Sequence, residues 1–212
     1  MKTREHGASH EAAGRLAEAE SAYRQALAEG DADAGVDLGL LLARQGRAEE
    51  AEAVLREARE AGLIEALIPL GNVLADQLGR PTDAEVVYRA AISAGDTYGH
   101  LNLALLLDDQ ERCEEAEDAL KEALAANDPL AKRGYGIFLY EHDHLAEAEL
   151  FLLEALTEGD TKAHVDLANV YADSGRPAEA EHHYLLALED GAAGEVARAA
   201  YEQFRQEQDA TS

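Results

Sequence analysis

The sequence predicts an all-α protein built as a solenoid of about six helix-turn-helix repeats. Six segments of similar sequence follow one another at an almost constant interval along the 212 residues. Apolar residues in each segment recur at the spacing of a helix, and Gly or Asn marks the segment ends. Pro is scarce, with 4 residues, and Trp is absent, which is typical of helices packed on helices.

The repeats begin at positions 32 or 33 residues apart. Their starting residues are Gly14, Gly46, Gly79, Glu111, Asp143 and Gly175. The first repeat begins with GRLAEAESAYRQALAEGD and the last with GRPAEAEHHYLLALEDGA. Intervals of this regularity do not arise by chance, so each unit is predicted to be one helical hairpin.

The second helix of each hairpin carries the sharpest pattern. One Ala recurs in all six repeats, a Tyr or Leu follows four residues later, and another Ala follows three residues after that. In the first repeat these are Ala19, Tyr23 and Ala26. The spacing places all three on one helical face, where small and large residues let neighbouring helices interlock. We expect Tyr23, Tyr88 and Tyr184 to be packing residues.

Turn residues predict where each hairpin ends. Four residues after the second Ala comes a Gly or Asn, which tolerates the left-handed conformation that closes a helix. These residues are Gly30, Gly62, Gly95, Asn127, Gly159 and Gly191. In several repeats an Asp follows directly, and it is expected to cap the next helix.

The first helix of each hairpin carries a large residue followed by a small one, which marks where the two helices cross. These pairs are Leu38-Gly39, Leu70-Gly71, Leu103-Ala104, Tyr135-Gly136 and Leu167-Ala168. The sequence predicts a single repeat domain over residues 1–212, with the clear repeats at 14–190. Residues 1–13 are predicted to form a degenerate first helix and residues 192–208 a capping helix, because terminal repeats lack one neighbour.

The large-small pair, the loop Gly, the Ala of AEAE, the Tyr or Leu and the second Ala together resemble the tetratricopeptide repeat. The resemblance covers residues 14–190 well. The period of 32–33 residues departs from the family's usual 34, and the joining segment Ala26–Ala34 is similar to Sel-one-like repeats, so the chain looks like a hybrid. The resemblance implies a right-handed superhelix whose first helices line a concave groove for peptides or protein partners.

The charge balance argues against several classes of function. Against 18 Lys and Arg stand 44 Asp and Glu, which gives a net charge of -26. This excess disfavours direct binding to nucleic acid and adhesion to an anionic membrane. No apolar run reaches the roughly 18 residues of a membrane-spanning helix. The polar N-terminus does not resemble a signal peptide, so we expect a cytoplasmic protein.

The register of the large-small pair predicts which residues line the groove. Acids outnumber bases there, and a concave acidic wall favours a basic ligand. Asn72, Asn102 and Asn169 offer amides that both donate to and accept from a peptide backbone. The predicted partner-binding residues are Asp37, Arg44, Asn72, Asp76, Tyr98, Asn102, Asp108, Asp109, Arg133, Tyr140, Glu141, Asn169 and Asp173. Ile68 stands where carboxylate-gripping family members carry a Lys, which disfavours capture of a C-terminal carboxylate.

These residues favour a non-enzymatic adaptor, monomeric or dimeric, that holds a basic peptide or protein segment in an acidic groove. An alternative is an acidic inhibitor or DNA mimic that blocks a basic enzyme or nucleic-acid-binding protein through its outer surface. Acids of the second helices would form that surface: Glu18, Glu50, Glu115, Glu147 and Glu179. Further alternatives are a module that works beside a larger regulator, and a charge that serves only solubility or salt adaptation.

The sequence contains no catalytic or cofactor motif, so neither an enzyme activity nor a cofactor or metal is predicted. The glycines follow the repeat period and form no phosphate-binding loop. Cys113, the one cysteine, lies among glutamates, which disfavour a reactive thiolate. His144 could share a metal with His182 or His183 if their hairpins approached, and surface histidines are the simpler interpretation.

Overall fold

The computed structural model describes residues 2–190 and 194–211, with side chains for 2–190 and 194–209. These ranges contain α-helices and no strand, so the predicted fold class, an all-α helical-repeat solenoid, is confirmed. The helices are α1 (Lys2–Ala12), α2 (Leu16–Ala28), α3 (Asp33–Arg44), α4 (Ala48–Glu60), α5 (Leu67–Asn72), α6 (Pro81–Ser93), α7 (Tyr98–Asp108), α8 (Cys113–Ala125), α9 (Ala131–Glu141), α10 (Leu145–Thr157), α11 (Ala163–Asp173), α12 (Pro177–Asp190) and α13 (Gly194–Thr211). A short 3-10 turn (Ile64–Ala66) precedes α5, and a π-helical turn (Val73–Gln77) follows it.

The helices group into two compact units, residues 1–119 and 120–212. The boundary falls within α8, the second helix of the fourth repeat. In the first unit, α1 pairs with α2, α3 with α4, and α5 with α6. In the second unit, α9 pairs with α10 and α11 with α12. The single repeat domain that the sequence suggests over 1–212 stays a prediction.

The face of the second helix that carries the Ala and Tyr or Leu pattern forms the core of the hairpins. Ala19, Tyr23 and Ala26 of α2 are all buried, and the equivalent residues of the later repeats are buried as well. The small residue of the first helix makes room for the large one. A Cβ added at Gly39 would lie only 2.5 Å from Leu55. The predicted packing pattern therefore describes how the two helices of a hairpin cross.

Left-handed residues close the helices. Gly30 has a φ of 91°, and the N–H of Asp31 donates to the carbonyl of Ala26 at 2.9 Å, which completes a Schellman motif. In the loops inside the hairpins, Glu111 (φ 60°) and Asp143 (φ 62°) adopt this conformation where the other repeats carry Gly. A non-Gly residue is strained there because its Cβ approaches the following carbonyl oxygen.

The third repeat accommodates one extra residue inside its first helix. The small residue and the loop residue of this repeat, Gly71 and Gly79, are eight positions apart, against seven in the other five repeats. Between them lies the π-helical turn, closed by the Leu78 N–H, which donates to the carbonyl of Val73 at 3.1 Å. This turn explains why one repeat interval is 33 residues and the others are 32.

An arginine before four of the second helices joins that repeat to the preceding one. Arg47 donates to Glu20 of the preceding repeat at 2.6 Å and to Glu50 of its own helix at 2.7 Å. Its guanidinium lowers the pKa of both carboxylates. We call this arrangement the arginine clasp. It recurs around Arg80, Arg112 and Arg176.

The two ends of the chain continue the repeat pattern. Although the sequence predicts a degenerate first helix, α1 packs closely on α2, and a Cβ added at Gly7 would come within 2.5 Å of a tyrosine ring. At the other end, Ala197 and Phe204 of α13 are buried. Gly191 and the first two residues of the predicted capping helix 192–208 lie outside the described residues.

Candidate functional site

Charged side chains on the first helices pair from one repeat to the next. In the first unit, Arg4 donates to Asp37 at 2.6 Å and to Asp33 at 3.0 Å. Arg44 pairs with Glu11. Two predicted groove residues, Asp37 and Arg44, therefore already have partners within the protein. Sequence reasoning misses Arg4 and Glu11 because they lie in the helix predicted to be degenerate.

The second unit repeats this arrangement. Arg133 donates to Asp166 at 2.6 Å, and the Tyr140 hydroxyl donates to Asp173 at 2.6 Å. Burial raises the pKa of Asp166, and Arg133 offsets part of that effect. Burial and the bond to Asp173 raise the pKa of Tyr140, which therefore keeps its proton at neutral pH. The predicted groove residues Arg133, Tyr140 and Asp173 thus also have internal partners.

Two of the predicted acids lack such a partner. In each first helix, one groove position lies five residues after the small residue of the large-small pair. The position that pairs with it lies in the preceding repeat, four residues after the small residue there. The resulting pairs of positions are Glu11 with Arg44, Ala43 with Asp76, Ala75 with Asp109, Asp108 with Glu141, and Tyr140 with Asp173. An Ala side chain donates no hydrogen bond. Within the described ranges, Asp76 and Asp109 accordingly make no side-chain hydrogen bond or ion pair.

Asp76 and Asp109 line a single cleft of the first unit, which we call the Asn72 cleft. Its volume is about 530 Å³. Its walls are Asn72, Ala75, Asp76, Gly79, Pro81, Tyr88, Asn102, Leu105, Leu106, Asp109 and Gln110. The structure therefore brings together four predicted groove residues: Asn72, Asp76, Asn102 and Asp109. The π-helical turn of the third repeat forms part of one wall.

The two amides of the Asn72 cleft are each held by one hydrogen bond. The Tyr88 hydroxyl donates to Asn72 Oδ1 at 2.7 Å, which leaves the Asn72 amino group as a donor. Asn102 Nδ2 donates to the Tyr98 carbonyl at 2.8 Å, which leaves Asn102 Oδ1 as an acceptor. One donor and one acceptor in the same cleft match the carbonyl and N–H groups of an extended peptide.

The Asn72 cleft also has an apolar wall and a buried floor. Leu105 is 54% exposed, whereas Leu106 and the Tyr88 ring are buried. Burial raises the pKa of Tyr88, and the nearby Asp76 carboxylate raises it further, so this hydroxyl remains a donor at neutral pH. Sequence reasoning identifies the Tyr88 ring as core but misses its bond to Asn72, because the repeat pattern reports only how the ring packs.

The second unit contains a related cleft of about 390 Å³, which we call the Asn169 cleft. Its sixth-repeat residues are Asn169, Ala172, Asp173 and Tyr184, which occupy the repeat positions of Asn72, Ala75, Asp76 and Tyr88. The Tyr184 hydroxyl donates to Asn169 Oδ1 at 2.5 Å. Burial raises the pKa of Tyr184 to about 12.

In each cleft, the wall opposite the Asn and Asp residues comes from the helix that follows the hairpin in the chain. In the Asn72 cleft this is α7, with Asn102, Leu105, Leu106 and Asp109. In the Asn169 cleft it is α13, with Ala200, Gln203, Phe204 and Glu207 at the same mutual spacing. The C-terminal helix thus takes the place of a first helix, but it offers Ala200 where α7 offers an amide.

Six predicted residues lie outside the two clefts: the paired Asp37, Arg44 and Arg133 described above, and Tyr98, Asp108 and Glu141. Tyr98 is exposed at the start of α7 and contributes its carbonyl to hold Asn102. Asp108 interacts with Cys113, and burial together with this hydrogen bond raises the pKa of the thiol, which disfavours a reactive thiolate. Glu141 lines another cavity of the second unit, of about 490 Å³, which shares Tyr140 and Asp173 with the Asn169 cleft.

The histidines considered as metal ligands pair differently from the predicted set. His183 Nδ1 lies 2.9 Å from His164 Nδ1, and the His182 ring centre lies 5.4 Å from that of His183. Burial lowers the pKa of His183 to about 4, and burial also lowers that of His164. His144 lies 3.6 Å from Glu147 in the hairpin loop of the fifth repeat. These contacts lend no support to a metal site formed by His144 with His182 or His183.

Helical hairpins that repeat along the chain and pack on their neighbours define the class of α-helical repeat proteins. A sequence profile described as tetratricopeptide repeat matches residues 4–62 and 101–163, more than half of the chain. The chain therefore belongs to the tetratricopeptide-repeat family, and the predicted resemblance is confirmed. Proteins of this family serve in general as scaffolds for protein or peptide partners. A hybrid with Sel-one-like repeats stays a prediction.

Several solved structures share the fold. The chain is 24% identical to TTC0263, a thermophilic tetratricopeptide-repeat protein of Thermus thermophilus, with 82% of this chain and 99% of that chain covered and a TM-score of 0.69. A tetratricopeptide-repeat protein from Parabacteroides merdae ATCC 43184 is 18% identical, with 97% and 91% covered and a TM-score of 0.64. YrrB, described as having an unusual peptide-binding site, is 20% identical, with 85% and 97% covered and a TM-score of 0.52.

At these identities the similarity establishes the fold alone. None of the curated proteins compared with the chain matches it. Over the part of the chain that the structure describes, no helix has both the length and the apolar character needed to cross a membrane.

Proposed function

We propose that the chain is a non-enzymatic scaffold that binds an extended, basic segment of a partner protein, with the Asn72 cleft at the centre of the binding surface. The observation that carries this proposal is the pair of carboxylates of Asp76 and Asp109. Asp37 and Asp173 each receive a donor from the preceding repeat, whereas Ala43 and Ala75 occupy the corresponding positions for Asp76 and Asp109. A Lys or Arg side chain of the bound segment fills that place.

The other walls of the cleft suit the main chain and the aliphatic parts of such a segment. Asn72 donates to one backbone carbonyl of the segment, and Asn102 accepts from one of its N–H groups. Leu105 covers the methylene groups of a Lys or Arg side chain, whose charged end then reaches a carboxylate. The amides thus fix the orientation of the bound segment, and the acids select segments that carry Lys or Arg.

The net charge of the chain supports the same choice of partner. At -26, the protein attracts basic segments over a distance comparable to the Debye length, about 10 Å at 0.1 M salt. Such attraction mainly accelerates association and selects the partner. Binding is therefore expected to weaken as the salt concentration rises.

The alternative, inhibition or DNA mimicry through the outward acids, has weaker support. Glu50, Glu115 and Glu179 each accept a hydrogen bond at 2.7 Å from the guanidinium of an arginine clasp. The charges of these three acids are therefore partly balanced, unlike those of Asp76 and Asp109, whereas Glu18 and Glu147 of the same surface lie outside the arginine clasps. YrrB, a relative of the same fold, is described as having a peptide-binding site, which favours the same class of ligand here. A cytoplasmic location and a monomeric or dimeric state stay predictions.

Binding of a synthetic peptide of alternating Arg and Ala, about ten residues long, tests the proposal by calorimetry. We expect Asp76→Asn combined with Asp109→Asn to weaken binding about tenfold, equivalent to about 1.4 kcal/mol. The matched control is Asp37→Asn combined with Asp173→Asn, which removes the same charge from acids that have internal partners. We expect the control to weaken binding less than threefold, because those carboxylates are already engaged.

Two results would overturn the proposal. Equal losses in the two double variants would mean that only net charge matters and that the Asn72 cleft is not the site. An affinity that does not change between about 0.05 and about 0.5 M salt would remove the electrostatic basis. Replacing Asn102 by Ala in the wild-type background separately tests the contact with the peptide main chain.

A further inference from the structure

The exposed face of the second helices changes chemistry after the fourth repeat. Five residues after the first conserved Ala, the repeats carry in order Arg24, Arg56, Arg89, Lys121, Leu153 and Leu185. Where the residue is Arg, it pairs along its own helix with a Glu four residues earlier, as Arg24 does with Glu20 at 2.9 Å and Arg89 with Glu85 at 2.9 Å. The last two repeats keep that Glu, as Glu149 and Glu181, but replace its partner by Leu.

Together with Leu150, the two replacements leave three large apolar side chains exposed on α10 and α12. Leu150 is 55% exposed, Leu153 is 38% exposed and Leu185 is 43% exposed. Leu150 and Leu153 are three residues apart and share one side of α10. We call these three residues the leucine face. Single exposed leucines are ordinary on protein surfaces, but the loss of a salt-bridged residue at the same position in two consecutive repeats is systematic.

The two helices that carry the leucine face are neighbours. The guanidinium of Arg176 donates to Glu149 of α10 at 2.7 Å and to Glu179 of α12 at 2.7 Å. A single side chain therefore spans the distance between the two helices at this end. Two adjacent helices present ridges with a furrow between them, which is the surface that another helix packs into.

The charges around the leucine face are acidic. Glu147, Glu158 and Glu189 are exposed on or directly after the same two helices. The basic groups at hand already have partners, since Lys132 lies 2.7 Å from Glu158 and Arg176 is held in its clasp. With a net charge of -26, a second copy of the chain or an anionic membrane is repelled from this surface. Charge complementarity selects an apolar partner surface flanked by Lys or Arg.

We propose that the leucine face binds an amphipathic helix of a partner protein. The apolar stripe of that helix covers Leu150, Leu153 and Leu185, and its flanking basic residues face the surrounding glutamates. This surface lies on the second helices and shares no residue with the Asn72 cleft. It therefore gives the scaffold a second contact, which either binds a second partner or prolongs the hold on the first.

The decisive variant combines Leu153→Arg with Leu185→Arg. It restores the residue type of the earlier repeats and places Arg four residues after Glu149 and Glu181, so the fold is expected to be retained. The matched control combines Ala53→Arg with Val86→Arg, which adds the same charge at exposed second-helix positions of the first unit. Circular dichroism and thermal unfolding check that both variants are folded.

The probe is a synthetic helical peptide of Leu and Lys, about 18 residues long, with Leu at spacings of three and four. A peptide of the same composition in scrambled order, without an apolar stripe, is the second probe. We expect the wild type to bind the amphipathic peptide at least tenfold more tightly than the scrambled one. The Leu153→Arg and Leu185→Arg variant should lose at least tenfold in affinity, whereas the Ala53→Arg and Val86→Arg control should lose less than threefold.

Three results would overturn the proposal. One is equal binding of the two peptides by the wild type, or no binding of either. Another is an equal loss in the leucine variant and in the control, which would assign the effect to charge. The third is sedimentation of the wild type as a dimer and of the leucine variant as a monomer, which would make a second copy the occupant. Unchanged peptide binding after Asp76→Asn combined with Asp109→Asn would support a site separate from the Asn72 cleft.

Discussion

The Asn72 cleft and the Asn169 cleft are built from the same repeat positions. They differ in whether another residue of the protein donates a hydrogen bond to the aspartate of the cleft. In both, a Tyr hydroxyl holds an Asn side chain, at 2.7 Å from Asn72 and 2.5 Å from Asn169. In the Asn169 cleft, Tyr140 of the preceding repeat donates to Asp173 at 2.6 Å. In the Asn72 cleft, Ala43 stands at the position of that Tyr, and Asp76 keeps a carboxylate without a partner.

This difference shows that a binding position in a repeat protein is decided by the neighbouring repeat as much as by its own residues. Asn72 and Asp76 alone do not distinguish the third repeat from the sixth, because both repeats carry the same pair. The residue that distinguishes them lies one repeat earlier in the chain. Four experiments break or sharpen the comparison.

The largest effect is expected from substitutions that disrupt the core packing of the hairpin that carries one cleft at a time. Ala84 lies in α6, which contributes Tyr88 to the Asn72 cleft, and Ala180 lies in α12, which contributes Tyr184 to the Asn169 cleft; both alanines are fully buried. Ala84→Arg and Ala180→Arg overpack the helix crossing, and each should cost about 3 kcal/mol or more of unfolding free energy. Chemical denaturation followed by circular dichroism measures the loss. Ala53→Arg, at an exposed position of α4, is the control, and unchanged unfolding of both core variants would refute the repeat register.

The second experiment closes the open cleft by supplying the missing donor. Ala43→Tyr places a hydroxyl where Tyr140 lies relative to Asp173, so it should bond Asp76 and reduce the affinity for the Arg and Ala peptide about fivefold, equivalent to about 1 kcal/mol. The reciprocal change, Tyr140→Phe, should lower the unfolding free energy by about 1 kcal/mol because Asp173 loses its donor. Calorimetry of peptide binding measures the first effect. Ala43→Phe, which has the ring without the hydroxyl, is the control, and an equal loss with Phe would assign the effect to bulk.

The third experiment acts only on the repeat that carries the Asn169 cleft. His183 and His164 are neutral in the folded state, with the pKa of His183 lowered to about 4 by burial, whereas an unfolded His has a pKa of about 6.5. Their stabilising contribution is complete above about pH 6.5 and is lost as the pH falls, because the unfolded chain then binds protons that the folded chain does not. The groups facing the pair are Tyr171, Glu179, His182 and Asp190.

Between about pH 7.5 and pH 5.5, this linkage should reduce the unfolding free energy by about 1 kcal/mol, allowing for the partial exposure of His183. His183→Phe should flatten the dependence because it removes a titrating group, and the fold should tolerate it because the fifth repeat carries Phe151 at the same position. Denaturant titrations at the two pH values measure the difference. The same slope in the wild type and in His183→Phe would show that the pair does not titrate with folding.

The smallest effect concerns the loops inside the hairpins, one in each unit. Glu111 and Asp143 adopt positive φ values where the other repeats carry Gly. Glu111→Gly and Asp143→Gly should each stabilise the protein by about 0.5–1 kcal/mol, because relief of backbone strain outweighs the added freedom of the unfolded chain. Thermal unfolding measures the gain. Glu114→Gly, inside α8, is the opposite control and should destabilise.

Much of the fold follows from the sequence because the same pattern of core and turn residues occurs in all six repeats. The Ala and Tyr or Leu positions identify the buried face, and the turn residues identify the helix ends. The sequence also shows that one interval is a residue longer, but not where the extra residue goes. A turn residue added to the loop and one added to the helix are equally compatible with the spacing. The backbone hydrogen bond from Leu78 to Val73 shows that the helix takes it.

The candidate site follows from the sequence only in part. The register places Asn72, Asp76, Asn102 and Asp109 on the first helices, and these four residues do line one cleft. The register cannot show which acids are neutralised, because that depends on side chains one repeat away. Arg4 illustrates this limit: it engages two acids at once, although the sequence around it departs most from the repeat.

The π-helical turn accommodates the extra residue of the third repeat within a single helix. The extra residue is absorbed before Gly79, and the loop beyond it leads into an arginine clasp of the ordinary geometry, with Arg80 2.8 Å from Glu52. Hairpins of 32 and 33 residues are therefore expected to fit the same array. Chimaeras that exchange the third hairpin for the sixth should stack without any change of linker. Because the open cleft also needs Ala43 in the repeat before it, moving this cleft along the array should require the second and third hairpins together.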